Sequence, residues 1–111
     1  MDISFRSRKM MKIFNSEKEL VKEYGKEMAG KIIKRMVVLR SAENLDAVPP
    51  SPPPRRHELF NDWKEHFAVD LVHPHRLIFK PNASPIPRKK DGGIDLFQVT
   101  SIEIVAIKDY H

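Results

Sequence analysis

A chain of 111 residues makes one domain around one core. Its 41% hydrophobic and 32% charged residues fit a folded protein and not a disordered one. The absence of cysteine excludes disulfides, thiolate nucleophiles and cysteine-based zinc sites.

The net charge of +5 is unevenly spread. Residues 1–40 hold 11 Lys/Arg against 5 Asp/Glu, or +6, whereas residues 41–111 hold 9 against 10, or −1. The positive field therefore comes from the N-terminal third, with Arg6, Arg8, Lys9 and Lys12 clustered, and a polyanion such as nucleic acid is the partner it suggests. A lysine-rich, solvated helix surface is the alternative reading of the same charges. No apolar run reaches the roughly 20 residues of a membrane span, and the first residues lack the apolar core of a signal peptide. A reducing cytoplasm is the expected location.

In chain order, Asp2 to Arg6 alternates, with Ile3 and Phe5 on one side, as a short strand does. Met10, Met11, Ile13 and Phe14 form a helical turn or two. Ser16 with Glu19 is a capping box that starts a helix at Glu17, and Gly25 breaks or bends it. From Lys26 to about Glu43, Met28, Ala29, Ile32, Ile33, Met36, Val37 and Leu39 recur at helical spacing, with Lys31, Lys34, Arg35 and Arg40 mostly on the other side. Val48 to Pro54 carries too many prolines for a helix or an inner strand and predicts a stiff polyproline II connector. Phe67 to Val72 alternates as a strand, His73-Pro74-His75 turns, and Arg76 to Lys80 returns. Residues 81–93 are a long loop ending in an Asp91-Gly92-Gly93 turn. Ile94 to Val99 fits either a short strand or a helical turn. Ser101 to Ile107 is apolar on both faces, the pattern of a strand inside a sheet, and it ends in Lys108, Asp109, Tyr110 and His111. The expected fold is α+β, in the order β-α-α-β-β-(β)-β, with helices on one face of a small, mainly antiparallel sheet.

Five histidines carry most of the chemical interest, because imidazole alone titrates unperturbed near neutrality. His73 and His75 flank a proline but lack a third metal ligand at suitable spacing, and His66 reads as a surface residue. His57 follows Arg55 and Arg56 where the chain enters the sheet, and His111 closes the sequence beside an acid and a phenol. Cleaving RNA without metal requires a base for the 2′-hydroxyl, cations for the phosphorane and an acid for the departing 5′-oxygen. Two imidazoles with arginines meet that need, while Tyr110 is able to stack on a base or donate a proton and Asp109 to orient a neighbour. A merely structural tail is the competing reading. No glycine-rich phosphate loop, serine elbow or HExxH helix is present.

The runs Arg55-Arg56-His57-Glu58-Leu59, Asp62-Trp63-Lys64, Phe67 to Leu71 and His75 to Phe79, with the ending Asp109-Tyr110-His111, resemble HigB-type killer toxins of the RelE/ParE superfamily. The resemblance covers about residues 55–111 by motif, and the N-terminal arrangement agrees in outline. It implies a RelE-like fold over residues 1–111 and a ribosome-dependent mRNA endonuclease that enters the A site and needs neither metal nor cofactor. A cognate antitoxin, helix-turn-helix and HigA-like, would neutralise it, the free toxin being monomeric and the neutralised one hetero-oligomeric. By motif, His57, Asp109, Tyr110 and His111 form the catalytic cluster and Arg76 contacts the scissile phosphate. Arg55, Arg56, Lys64 and the N-terminal cluster hold RNA backbone. One departure stands out: family members often carry a lysine where this chain has Phe60. The competing reading is a non-nuclease toxin of the gyrase-binding branch, or a relative that mainly binds its antitoxin.

Overall fold

A computed structural model describes residues 1–109, in which the alternating start becomes strand β1, Asp2–Phe5. Three helices follow: α1 (Arg8–Phe14), α2 (Glu17–Tyr24) and α3 (Lys26–Ser41). Ser7 and Ser16 cap α1 and α2, each hydroxyl accepting the N–H three residues on, from Met10 and Glu19. Gly25 lies between α2 and α3 at φ +86°, a conformation that costs a side-chain-bearing residue but not glycine.

Helix α3 buries Ala29, Ile32, Met36 and Leu39. The sequence reading is corrected at three of its positions. Ile33 and Val37, expected on the apolar face, are 36% and 55% exposed, and Arg35, expected on the outside, is 6% exposed. The cause is angular: each residue advances about 100°, so the stripe centred on Ile32 and Met36 has Arg35 on one flank and leaves Ile33 and Val37 beyond the other.

The sheet contains β1, β2 (His57–Glu58), β3 (Phe67–Asp70), β4 (His75–Pro81) and β5 (Ser101–Asp109). Its order is β1-β5-β4-β3-β2, with β1 parallel to β5 and the other pairs antiparallel. The last strand is thus interior, as its two-sided apolar pattern requires. Phe67, Val69, Leu77, Phe79, Ile102 and Ile104 face the helices and form the main core with Leu20, Ile32 and Leu39. The opposite face, which no helix covers, holds a smaller cluster of Leu59, Ala68, Ile78 and Val105, flanked by Trp63 and Ala106. The register slips between Ile78 and Phe79, whose partners are Ala106 and Ile104, so Val105 is an extra residue on β5. This bulge turns Val105 onto the helix-free face.

One further expectation is corrected, and one open alternative is resolved. The proline-rich stretch is not an extended connector: Arg55 N–H donates to Ser51 O and Arg56 N–H to Pro49 O, both at 3.0 Å, so the chain folds back. The fixed proline φ that suits polyproline II also suits turns, and burial of Val48 and Pro54 favours the folded-back form. Between Ile94 and Val99 the open alternative falls to the helical side, a 3-10 turn at Leu96–Gln98. The fifth strand is instead the two-residue β2, too short to leave a periodic signal.

Because Ile32 is fully buried, Ile32→Ala should lower unfolding free energy by about 2–5 kcal/mol. Val37→Ala, at an exposed site, should stay within about 0.5 kcal/mol. Urea melts followed by circular dichroism read both values, and equal losses would contradict this assignment of the helix faces.

Candidate nucleic-acid interface on the helix-free face

Alternation along β4 sends Leu77 and Phe79 into the main core and Arg76, Ile78 and Lys80 to the helix-free face. Register carries the same row across the sheet, since Asp70 pairs with Arg76 and Arg76 with Lys108. The neighbouring row runs His57, Ala68, Ile78, Ala106. One strip of surface therefore holds an imidazole, two guanidiniums counting Arg55, an ammonium and the carboxylate of Asp70.

That carboxylate orders the cations. Asp70 accepts two hydrogen bonds from Arg55, Nε to Oδ2 at 2.6 Å and Nη2 to Oδ1 at 2.9 Å, and Arg76 Nε lies 3.6 Å from Oδ1. The hydrogen bond to Asp70 raises the Arg55 pKa above its already high ordinary value, so this guanidinium stays charged. The backbone of Asp70 is also fixed: its carbonyl accepts Arg35 Nε at 2.6 Å, and its N–H donates to Pro54 O at 2.8 Å.

His57 is oriented by its own chain. Nδ1 lies 2.8 Å from the Arg55 carbonyl. A carbonyl only accepts, so Nδ1 carries the hydrogen and neutral His57 keeps its lone pair on Nε2. Nε2 is buried and has no hydrogen-bond partner among the described residues. A buried polar atom left unpaired costs about 1–3 kcal/mol, so an acceptor is held ready at the expense of stability.

The loop bearing these groups is strained in the same sense. Arg55, Asn61 and Glu65 adopt φ of 49°, 57° and 67°, the left-handed region that non-glycine residues rarely enter. Such residues each cost on the order of 1–3 kcal/mol and cluster at functional sites. Here they bracket His57 and Trp63. The intervening turn is tied by Leu59 N–H to His66 O at 2.8 Å, His66 N–H to Trp63 O at 3.0 Å, and the Arg88–Glu65 ion pair.

The other candidates are spread out. Arg6 is exposed and lines a cleft of about 560 Å³ with Trp63 and Lys80 on the same helix-free face. Arg8, Lys9 and Lys12 line a separate groove of about 580 Å³ between α1 and α2, so the N-terminal cluster divides between two surfaces. Arg56 Nε donates to Val48 O at 2.9 Å, bracing the proline turn. Lys64 is exposed, and Phe60 is 63% exposed. Asp109 pairs with His75 at the end of β5, diagonal to His57 across three inter-strand steps of roughly 4.8 Å each. Tyr110 and His111 lie outside the described residues. Sequence reasoning missed Asp70, Trp63, Lys80 and Glu103, although the alternation Arg76-x-Ile78-x-Lys80 was there to read.

No protein-family model matches the sequence, and no curated protein matches it significantly. Two solved structures do match over the whole chain. One is the YoeB-YefM complex from Staphylococcus aureus, with a TM-score of 0.54 and 16% identity over 97% of that chain. Another is a YoeB/ParE toxin from Agrobacterium tumefaciens, with a TM-score of 0.57 and 10% identity over 100% of it. The three helices and five-stranded sheet have the RelE/YoeB-like fold.

Replacing Asp70 by alanine should cost about 1–3 kcal/mol of stability, towards the low end because its side chain is 30% exposed and screened by solvent. Urea denaturation reads this loss. A midpoint unchanged from the parent would mean that the carboxylate does not organise the arginines.

Proposed function

We propose that this chain is the toxin of a toxin–antitoxin pair, of the HigB type within the RelE/ParE superfamily, acting as a metal-independent endoribonuclease on ribosome-bound mRNA. The observation that carries the reading is His57 Nε2, an oriented, buried acceptor with no hydrogen-bond partner among the described residues, in the strand row next to that of Asp70 and Arg76. The shared fold and the motifs of residues 55–79 and 109–111 support it.

In this mechanism His57 Nε2 takes the proton of a ribose 2′-hydroxyl. The 2′-oxygen attacks the adjacent phosphorus and forms the P–O2′ bond, and the P–O5′ bond breaks, giving a 2′,3′-cyclic phosphate. The 5′-oxygen leaves with a proton from an acid in the terminal cluster of Asp109, Tyr110 and His111, residues that the family resemblance groups with His57 as catalytic. Arg76 neutralises the phosphorane oxygens, and Asp70 sets its position. Arg55, already committed to Asp70, acts mainly as a support for that arrangement. Arg6, Arg56, Lys64 and the α1 cations Arg8, Lys9 and Lys12 offer contacts to RNA backbone.

The partner is a protein antitoxin, helix-turn-helix and HigA-like, and the exposed Ile33 and Val37 on α3 give such a partner apolar surface. The Staphylococcus aureus relative is described as a YoeB-YefM complex, in line with this. A second reading, a binding toxin of the gyrase-directed branch, draws on Phe60, which stands where related nucleases often carry a lysine.

His57→Ala should lower mRNA cleavage by about 10²–10⁴-fold with an unaltered circular dichroism spectrum, and His57→Gln should fail to rescue it. Primer extension on mRNA from a translating lysate maps the cuts. Growth arrest by His57→Ala equal to the parent, with no cuts from either protein, would favour the binding toxin.

A further inference from the structure

Resting on the RNA-cleavage reading, we infer that the cleft beneath Trp63 is a subsite for an unpaired nucleobase flanking the cleaved bond, with Trp63 as its stacking platform. The cleft lies on the His57 face: Trp63 and Val105, which line it, both pack with Ala68 and Ile78, the residues between His57 and β5 in the same row. Its volume of about 560 Å³ lies in the usual range for small-ligand sites. Along β4, Lys80 follows Arg76 by two alternations on this face, roughly 13 Å. RNA held at Arg76 thus has a path to the cleft.

The chemistry of the lining separates a base from a phosphate. Towards Asp70 the strip is rich in cations, with Arg55, Arg76 and Lys108. In the cleft Arg6 and Lys80 are matched by Asp62 and Glu103, and Lys80 Nζ already lies 3.8 Å from Glu103 Oε2. Carboxylates repel a phosphate but accept the amino and ring N–H groups of a base edge. The half-buried Trp63 ring supplies an apolar wall, steadied edge-on by His66 with ring centroids 5.3 Å apart and planes at 83°. His66 is itself held by Nδ1 donating to the Lys64 carbonyl at 2.9 Å. Base–aromatic stacking tolerates any sequence, because every base has a flat face. The left-handed Asn61 and Glu65 on either side fix the turn that aims Trp63, which is the preorganisation a stacking wall needs.

Trp63 is the chain's only tryptophan, so intrinsic fluorescence reports on it alone. The test is titration of the full-length protein with an unstructured RNA decamer at low salt, following both Trp63 fluorescence and the anisotropy of end-labelled RNA. Stacking predicts quenching that saturates with the anisotropy. It further predicts roughly tenfold weaker binding for Trp63→Ala, the order of loss when one stacking aromatic is removed, and near-parent binding for Trp63→Phe. An abasic spacer placed 5′ or 3′ of the preferred cut should weaken the parent and leave Trp63→Ala unmoved. Bound RNA with unquenched Trp63, and an alanine variant that binds as the parent does, would overturn the subsite and leave the nuclease reading standing. No RNA binding and no cleavage by the parent would remove both.

Discussion

Asp70 is the point on which the helix-free face depends. Its carbonyl receives the buried Arg35 guanidinium from α3, its amide holds Pro54 of the proline turn, and its carboxylate grips Arg55 and reaches Arg76. Helix layer, connecting turn and sheet therefore meet at one residue. Buried backbone groups and charges have to be paired, and here the same pairing that closes the fold also positions the cations.

The two faces of the sheet divide the work. The helix-covered face carries the main core, with Phe67 and Phe79 stacked at 6.2 Å between ring centroids, and supplies most of the apolar burial that holds the chain folded. The other face keeps only a small cluster and is free to hold polar groups. What that face retains is costly for stability alone: an imidazole nitrogen without a partner among the described residues, and three left-handed non-glycine residues within eleven positions. Departures of this kind gather where function has set the geometry.

Charge along the face is graded, not uniform. Two guanidinium groups lie against Asp70, and towards Trp63 each cation is matched by an acid. On the nuclease reading this gradient separates phosphate handling from base handling over the length of β4. The basic N-terminal third contributes less directly than its charge suggests, because α1 carries Arg8, Lys9 and Lys12 to a different surface and leaves Arg6 at the cleft.

Local chemistry was legible in the sequence wherever one element settled it. Ser16 and Glu19 marked the start of α2, Gly25 its end, and the two-sided apolar run from Ser101 placed the last strand inside the sheet, because capping and alternation act over a few neighbouring residues. The helices on one face of a mainly antiparallel sheet followed from that order of elements. Tertiary structure alone decided which flank of α3 turned inward, burying Arg35 and exposing Val37, since a hydrophobic stripe defines a face without saying what it meets. It also folded the proline stretch back, and it joined Asp70 to Arg55 and Trp63 to Lys80 and Glu103. Those pairings depend on strand register and on one bulge at Val105, and register is set by contacts between segments distant in the chain, which no local pattern records.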